Sequence, residues 1–271
     1  MIISVYYSHI MAAMSQTGLS IEEVAKACIE HHVTGFDVIL SQADETCLEN
    51  AKKLKECGMT CCALPAHTDF LHNSDEALIE KIISTAKQLG VSVIMAIPGL
   101  FNEGEDKQAA RERSVAPIKR LCELAEKENI FVGVEDYDDA NSAVAGIEGV
   151  SWYLEKMREL HCIFDTGNFA FMGDDTLAAF SKFKSRITRQ IHCNDRALTC
   201  TDGARARVRK TGVSDFPVAV GSGEIPHAEI LSTLKSQGFD GIITIENFGG
   251  GNMLSNITQS GDFIFKTITS C

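Results

Sequence analysis

The sequence predicts an α/β fold, a single (β/α)8 TIM barrel that spans residues 1–271. Short apolar runs alternate with longer amphipathic runs from one end of the chain to the other, and eight such pairs follow one another. Several short runs, such as VSVIMAI and GIITIE, are continuously apolar, which is typical of parallel strands covered on both faces. Eight strands that are each followed by a helix form the pattern of a closed parallel barrel.

Local signals support the individual elements. Ser20, with Glu23 three residues later, has the spacing of a helix capping box, and Gly58 and Gly90 are expected to end helices. The predicted strands comprise residues 2–7, 35–40, 60–64, 91–97, 130–135, 162–165, 189–193 and 241–246. The predicted helices comprise residues 20–31, 48–57, 75–89, 106–127, 149–160, 174–184, 227–237 and 252–267.

An open doubly wound sheet is the rival arrangement. That fold usually carries a glycine-rich phosphate-binding turn after its first strand. Here the first strand runs into YYSHIMAAMS, which contains no glycine, so we favour the barrel. One long connection, residues 194–226, follows the seventh strand and is predicted to be irregular. A loop of that length in a compact fold is usually functional.

The composition is that of a globular protein, with 45% hydrophobic and 23% charged residues. The sequence has no run of about 18 apolar residues, and its start, MIISVYYSHI, lacks the features of a signal peptide, so we expect a cytoplasmic protein without a membrane span. A net charge of −12 argues against nucleic acid as a partner.

The ten cysteines are expected to be buried thiols rather than disulfides or zinc ligands.

Polar residues stand at the C-terminal ends of four successive predicted strands. From the fifth strand to the eighth, these residues are Glu135, Asp165, His192 and Glu246. In a barrel these strand ends form one mouth, where catalytic groups collect. Three carboxylates and an imidazole directed at one space would not all keep their charge without a cation. Their joint placement predicts one divalent metal ion, and the oxygen-rich set suits Mn²⁺, Mg²⁺, Co²⁺ or Zn²⁺.

Short motifs around these residues follow in a characteristic order. They are VE at the fifth strand and DTGN at the sixth, followed by IHCND, GSGEI and IEN. In this respect the sequence resembles the xylose-isomerase-like barrel superfamily, which includes sugar-phosphate isomerases and epimerases. The resemblance covers nearly the whole chain and is strongest over residues 134–247. It implies that the same four residues bind the metal, and that Glu135 and Glu246 are also the acid/base pair of the epimerase members.

Three further polar residues are candidates for contact with substrate. His67, at the end of the third strand, could hydrogen-bond substrate hydroxyl groups or be a structural histidine. Asn168 could orient a ligand or a substrate oxygen. Asp195 could fix the tautomer of His192 from behind, or it could cap the loop that follows.

The long connection after the seventh strand is basic. Arg205 and Arg207 lie in it, and backbone N–H groups of the GSG motif at 221–223 could join them in binding a phosphate. A solvated basic loop, or a contact between subunits, is the alternative. The substrate is therefore expected to be a small sugar or a sugar phosphate, and a homo-oligomer is left open.

The resemblance implies a metal-dependent isomerase or epimerase, in which an enediolate forms when the α-proton of a ketose leaves. The alternative is a metal-dependent dehydratase of the inosose or dehydroshikimate type, since loss of a β-hydroxyl from the same intermediate is dehydration. A DNA-repair nuclease would need more histidines at strand ends and a basic surface. A non-catalytic sugar-binding barrel would not require two opposed bases.

Overall fold

Twelve strands and ten helices build residues 1–199 and 202–270, the part of the chain that this computed structural model describes. The strands are β1 (Ile2–Tyr6), β2 (Val33–Asp37), β3 (Thr60–Cys61), β4 (Ala63–His67), β5 (Val93–Ile97), β6 (Phe131–Glu135), β7 (His161–Asp165), β8 (Gln190–Cys193), β9 (Asp195–Ala197), β10 (Arg207–Val208), β11 (Ser214–Val218) and β12 (Ile242–Ile245). The helices are α1 (Tyr7–Thr17), α2 (Ile21–Glu30), α3 (Glu45–Glu56), α4 (Glu76–Leu89), α5 (Lys107–Lys127), α6 (Gly146–Lys156), α7 (Asn168–Met172), α8 (Thr176–Phe183), α9 (His227–Ser236) and α10 (Met253–Thr269).

Nine strands form one parallel sheet in the order β3-β2-β1-β12-β8-β7-β6-β5-β4. Its edge strands β3 and β4 are separated only by Cys62, so both edges belong to one stretch of chain. The Cys62 N–H donates to the Phe36 carbonyl at 2.8 Å, and the Val38 N–H donates to the Ala63 carbonyl at 3.1 Å. These bonds join both edge strands to the β2 segment and bring the sheet into a nearly closed barrel, which confirms the predicted fold.

Burial and capping follow the predicted pattern. Every residue of β5 and β12 is buried, as expected for strands enclosed between the barrel interior and the helices. Ser20 caps α2 and exchanges hydrogen bonds with Glu23 in a complete capping box. Gly90 ends α4 in the left-handed conformation, with φ of 70°.

The structure differs from the prediction in four places, one of which is helix α7, where no helix was predicted. The third strand is broken at Cys62 and continues to His67, beyond its predicted end at residue 64. Helix α1 follows β1 directly, where no helix was predicted. The connection 194–226 is not irregular, because it contains an antiparallel sheet in the order β10-β11-β9. That prediction was wrong because strands of two to five residues are too short to produce a readable period.

None of the helices in the described ranges combines the length and the apolar character needed to cross a bilayer. Eight cysteines in these ranges carry free thiols, and six of them are buried, as the sequence predicted. Cys200 and Cys271 lie outside the described residues.

Candidate metal centre

The four predicted metal ligands converge at the C-terminal end of the barrel. Glu135 and Asp165 are the last residues of β6 and β7. His192 lies on β8, and Glu246 directly follows β12. Each residue offers one ligand atom, and these four atoms all lie within 4.8 Å of one another. The four side chains form one buried cluster that could hold a single divalent metal ion.

His192 stands between the two glutamates of this cluster. Its Nδ1 atom lies 2.5 Å from Oε1 of Glu135 and 3.2 Å from Oε2 of Glu246. Burial alone would lower the pKa of His192, but the two carboxylates raise it well above its usual value. Burial raises the pKa of Glu135 to about 7. Burial and the two glutamates raise the pKa of Asp165 well above its usual range.

Buried polar atoms without hydrogen-bond partners indicate whether the cluster could bind a metal ion. Among the described residues, Oδ2 of Asp165 and Nε2 of His192, both atoms of the cluster, are buried and have no hydrogen-bond partner. Buried polar groups normally have partners, so unsatisfied carboxylate oxygens are typical of a place where a cation binds. Three carboxylates and one imidazole are a donor set that divalent cations accept. The residues present therefore fit a divalent metal.

Backbone and amide groups hold two of the cluster's carboxylates. Oδ1 of Asp165 accepts hydrogen bonds from the N–H groups of Gly167 at 2.8 Å and Asn168 at 2.7 Å. The side-chain amide of Asn194 donates to Oε1 of Glu246 at 3.2 Å and to Oδ1 of Asp165 at 3.4 Å. These contacts fix the orientation of both carboxylates. Asn194 was not among the residues predicted to belong to the site.

A cavity of about 280 Å³, called the inner cavity below, adjoins the cluster. Glu135 and Glu246 line it, whereas Asp165 and His192 are not among the described residues of its wall. Two predicted substrate-binding residues, His67 and Asn168, also line it. The other lining residues are Tyr6, Ile39, Met95, Tyr137, Asp138, Arg196 and Phe248. Within the cluster, the two glutamates are thus the side chains that face the cavity.

Arg207 supports the wall of the inner cavity from behind. Its Nη1 atom donates to Oδ2 of Asp138 at 3.0 Å and to Oδ1 of Asn168 at 3.3 Å. Asn168 in turn donates to the backbone carbonyl of Asp136 at 3.1 Å. Arg207 therefore positions two lining residues without itself belonging to the described lining.

The structure does not bring Asp195 or Arg205 to the inner cavity. Oδ2 of Asp195 accepts hydrogen bonds from the N–H groups of Gly221 and Gly223, both at 2.8 Å, and Oδ1 accepts from Ile225 at 3.2 Å. A carboxylate of the chain itself thus occupies the backbone donors that were predicted to bind a phosphate. Arg205 is exposed. A role for either residue in substrate binding stays a prediction.

Tyr6 and Arg196 are two of the lining residues that sequence reasoning missed. Tyr6 ends β1, and its hydroxyl lies 3.4 Å from Nδ1 of His192. Burial, followed by the nearby carboxylates, raises the pKa of Tyr6 well above its usual value, which keeps its hydroxyl protonated. The strand-end argument did not find Tyr6, because the first strand was predicted to end at residue 7, one residue later than in the structure. Arg196 lies on the short strand β9, which the sequence pattern does not reveal.

A buried chain of hydrogen bonds runs behind β7 and β8. The Asn194 N–H donates to Oγ1 of Thr166 at 2.9 Å, and Oγ1 of Thr166 lies 2.8 Å from Nε2 of His227. Nδ1 of His227 lies 3.1 Å from the carbonyl of Ile225. Burial lowers the pKa of His227, so we assign a neutral ring that donates from Nδ1 and accepts the Thr166 hydroxyl at Nε2. This chain of hydrogen bonds joins the C-terminal ends of β7 and β8 to the start of α9.

The chain belongs to the xylose isomerase-like TIM barrel family, whose family model matches residues 15–266. This confirms the family expected from the motifs. A search of curated proteins finds no match.

Solved structures resemble the chain over almost its whole length. The probable 3-DHS dehydratase AsbF involved in petrobactin synthesis from Bacillus anthracis is 16% identical with a TM-score of 0.72, and 98% of this chain and 99% of that chain are covered. The IOLI protein with a bound zinc atom is 17% identical with a TM-score of 0.71, covering 100% and 99%. D-psicose 3-epimerase from Clostridium cellulolyticum H10, solved with D-tagatose, is 16% identical with a TM-score of 0.69, covering 99% of each chain. Likeness at these identities shows the fold.

Proposed function

We propose that the protein is a divalent-metal-dependent isomerase or epimerase of a small sugar or sugar phosphate. The observation that carries this proposal is which side chains of the cluster face the inner cavity. Four ligand atoms lie within 4.8 Å of one another, yet Glu135 and Glu246 alone among the four side chains face the described part of the inner cavity. An acid/base pair must touch the substrate, and these two glutamates are placed to do so.

Glu135, Asp165, His192 and Glu246 would hold the ion. A bound divalent cation acts as a Lewis acid that lowers the energy of negative charge on a substrate oxygen. The native metal among Mn²⁺, Mg²⁺, Co²⁺ and Zn²⁺ is left open. The similar structures determined with zinc and with magnesium support a divalent ion in this protein.

The two glutamates move the proton. One carboxylate removes the proton from the carbon next to the ketose carbonyl, and the C–H electron pair forms the C=C bond of an enediolate. If the other glutamate returns a proton to the same carbon from the opposite face, the product is an epimer. If a proton is added to the former carbonyl carbon, the product is an aldose. Burial makes Glu135 the stronger base of the pair, because it raises the pKa of that carboxyl to about 7, whereas at Glu246 burial is outweighed by the hydrogen bond and charge of His192, which lower the pKa.

Polar residues of the cavity wall would orient the sugar. His67, Asn168 and Tyr6 line the cavity and would bind substrate hydroxyl groups. Arg207 contributes by holding Asn168 and Asp138. A volume of about 280 Å³ lies near the small end of ligand pockets, which suits one small sugar.

A dehydratase is the second candidate, and Arg196 is the observation that favours it. This guanidinium is buried, lines the inner cavity and has an Nε atom without a hydrogen-bond partner among the described residues. An arginine in that position would match a carboxylate on the substrate. With such a substrate, loss of a β-hydroxyl from the enolate would give the dehydrated product. The similarity to the probable 3-DHS dehydratase AsbF supports this alternative.

Exchange of the α-proton with solvent tests the shared first step. Protein loaded with Mn²⁺ is incubated in deuterium oxide with D-fructose, D-tagatose, D-xylulose or their phosphates, and deuterium incorporation is followed by NMR. We expect exchange with at least one ketose and its loss after chelation. Exchange that persists without metal, or no exchange with any of these ketoses, would contradict the proposal. A product that absorbs as an enone, formed from a carboxylated β-hydroxy ketone, would favour the dehydratase.

A further inference from the structure

A second cavity of about 380 Å³, called the outer cavity below, meets the inner one at the barrel mouth. His67 and Tyr137 line both cavities. Their rings lie edge to face, with centroids 5.4 Å apart. The other residues of the outer wall are Thr68, Asp69, His72, Ile97, Gly99, Leu100 and Asn102. One ligand could therefore contact both cavities across this pair of rings.

The two shared side chains have unused hydrogen-bonding capacity. Within the described residues, neither the ring nitrogens of His67 nor the hydroxyl of Tyr137 makes a hydrogen bond, although both rings stand at the junction of the cavities. Imidazole and phenol groups can each donate and accept, which suits the hydroxyl groups of a sugar. These atoms are placed to contact a ligand where it passes from one cavity to the other.

The outer cavity is braced on one side by a polar network. His72 links Oδ1 of Asp69, at 2.6 Å from its Nδ1, to Oε2 of Glu105, at 2.9 Å from its Nε2. The Asn102 amide lies 3.0 Å from the same Nε2 atom. The loops after β4 and β5 are thereby tied together. Arg113 also pairs with Glu105, and both carboxylates raise the pKa of His72, so the charges of this network are already paired and it favours a neutral ligand.

Backbone contacts brace the other side. The Phe101 N–H donates to the Asn141 carbonyl at 2.7 Å, and the Ala143 N–H donates to the Gly99 carbonyl at 3.1 Å. Gly99 has φ of 131°, a conformation that side-chain-bearing residues rarely adopt. Leu100 projects from this segment with 43% of its surface exposed and offers an apolar face to a ligand. A cavity with both sides fixed is preformed, as ligand sites usually are.

We infer that the outer cavity is a subsite for a second, uncharged sugar ring linked to the ketose. This inference rests on the proposed function, because that function places the ketose at Glu135 and Glu246. The second ring lies beyond His67 and Tyr137, against Leu100 and the polar side chains of Asp69 and Asn102. The substrate class is thus a ketose-containing disaccharide or glycoside. Among the described residues that line the outer cavity, no cation is free to bind a phosphate there.

Binding measurements test the subsite without relying on turnover. Lactulose and turanose, two disaccharides that contain fructose, are compared with D-fructose by NMR-detected titration of the Mn²⁺-loaded protein. We expect at least one disaccharide to bind about tenfold more tightly than fructose, the effect of one or two added neutral hydrogen bonds. Leu100→Trp should fill the outer cavity and remove this gain while fructose binding is unchanged.

Val208→Trp is the matched control, because Val208 is 61% exposed on β10 and lines neither cavity. It should leave the binding of all three sugars unchanged. The inference is overturned if neither disaccharide binds more tightly than fructose, or if Leu100→Trp weakens fructose binding as much as disaccharide binding. Deuterium exchange is measured in parallel. A disaccharide preference without exchange at the ketose would leave the subsite standing and remove the proposed function.

Discussion

Nδ1 of His192 lies 2.5 Å from Oε1 of Glu135, inside the buried cluster at the barrel mouth. The two side chains come from strands β8 and β6, which are separated by β7 in the sheet. Their contact accommodates a proton, since the carboxylate raises the pKa of His192 and burial raises that of Glu135 to about 7. A metal ion that takes ligands from both residues must displace that proton.

Metal binding should therefore be coupled to proton release. We expect one Mn²⁺ ion per chain, and an affinity that falls as the pH is lowered from about 8 to about 6, because protons compete for His192 and Glu135. Calorimetric titrations in two buffers of different ionisation enthalpy count the protons. Asp165→Asn should weaken the affinity, whereas Asp138→Asn, outside the cluster, should change it little. An affinity independent of pH would contradict the proposed ligand set.

Glu246→Gln tests the acid/base role. The amide keeps an oxygen for the metal but cannot take a proton, so deuterium exchange should fall by a factor of about 10² to 10⁴. Metal content and the urea unfolding curve, measured on the same sample, separate loss of the base from loss of the ion or the fold. Glu224→Gln, at an exposed position, is the control. Unchanged exchange in Glu246→Gln protein with full metal content would exclude this role.

The hydrogen-bond chain through Thr166 predicts a cost in stability. Thr166→Val leaves the Asn194 N–H and Nε2 of His227 buried without partners, so the free energy of unfolding should fall by about 2 to 4 kcal/mol. Thr176→Val removes one longer bond, at 3.3 Å, to the Thr166 carbonyl and should cost about 1 kcal/mol. Urea unfolding of both variants gives the comparison. If both variants lose the same free energy of unfolding, the hydrogen-bond chain through Thr166 contributes no more than a single hydrogen bond.

The sequence was sufficient to predict the barrel and to nominate the four cluster residues. Parallel strands present their carboxyl ends at one mouth, so a polar residue at the end of each of four successive strands is placed near the others by topology alone. No distance is needed for that inference. The family match confirms the barrel and is consistent with the motifs around the strand ends.

The contacts of residues in the connections between strands cannot be predicted from strand order in this way. Asp195 follows the seventh strand as closely as a ligand would, but its carboxylate turns to the N–H groups of Gly221 and Gly223. That contact depends on how two loop segments fold against each other, which neither period nor spacing encodes. The outer cavity has the same origin, because its walls are loops joined by bonds such as that from Phe101 to Asn141.

Asp37 predicts a pH dependence of stability. It lies fully buried on β2, where Oδ2 accepts hydrogen bonds from Gln190 at 2.9 Å and Thr244 at 2.8 Å, while Oδ1 has no partner among the described residues. Burial raises its pKa to about 6 despite these bonds. The folded state thus binds this proton more tightly than the unfolded state, whose aspartate pKa is about 3.9. Stability should fall as the pH rises between these two values.

Asp37→Asn removes that titration, because the amide stays neutral at every pH. Relative to the wild type, the free energy of unfolding of the variant should rise as the pH increases from about 4 to about 8, by at most roughly 3 kcal/mol. Any constant cost of the substitution cancels in this comparison, as do titrations common to both proteins. Urea unfolding across the range measures it, with Glu80→Gln at an exposed position as the control. A difference that stays flat, or that decreases with pH, would show that the buried carboxyl does not favour its protonated form in the folded protein.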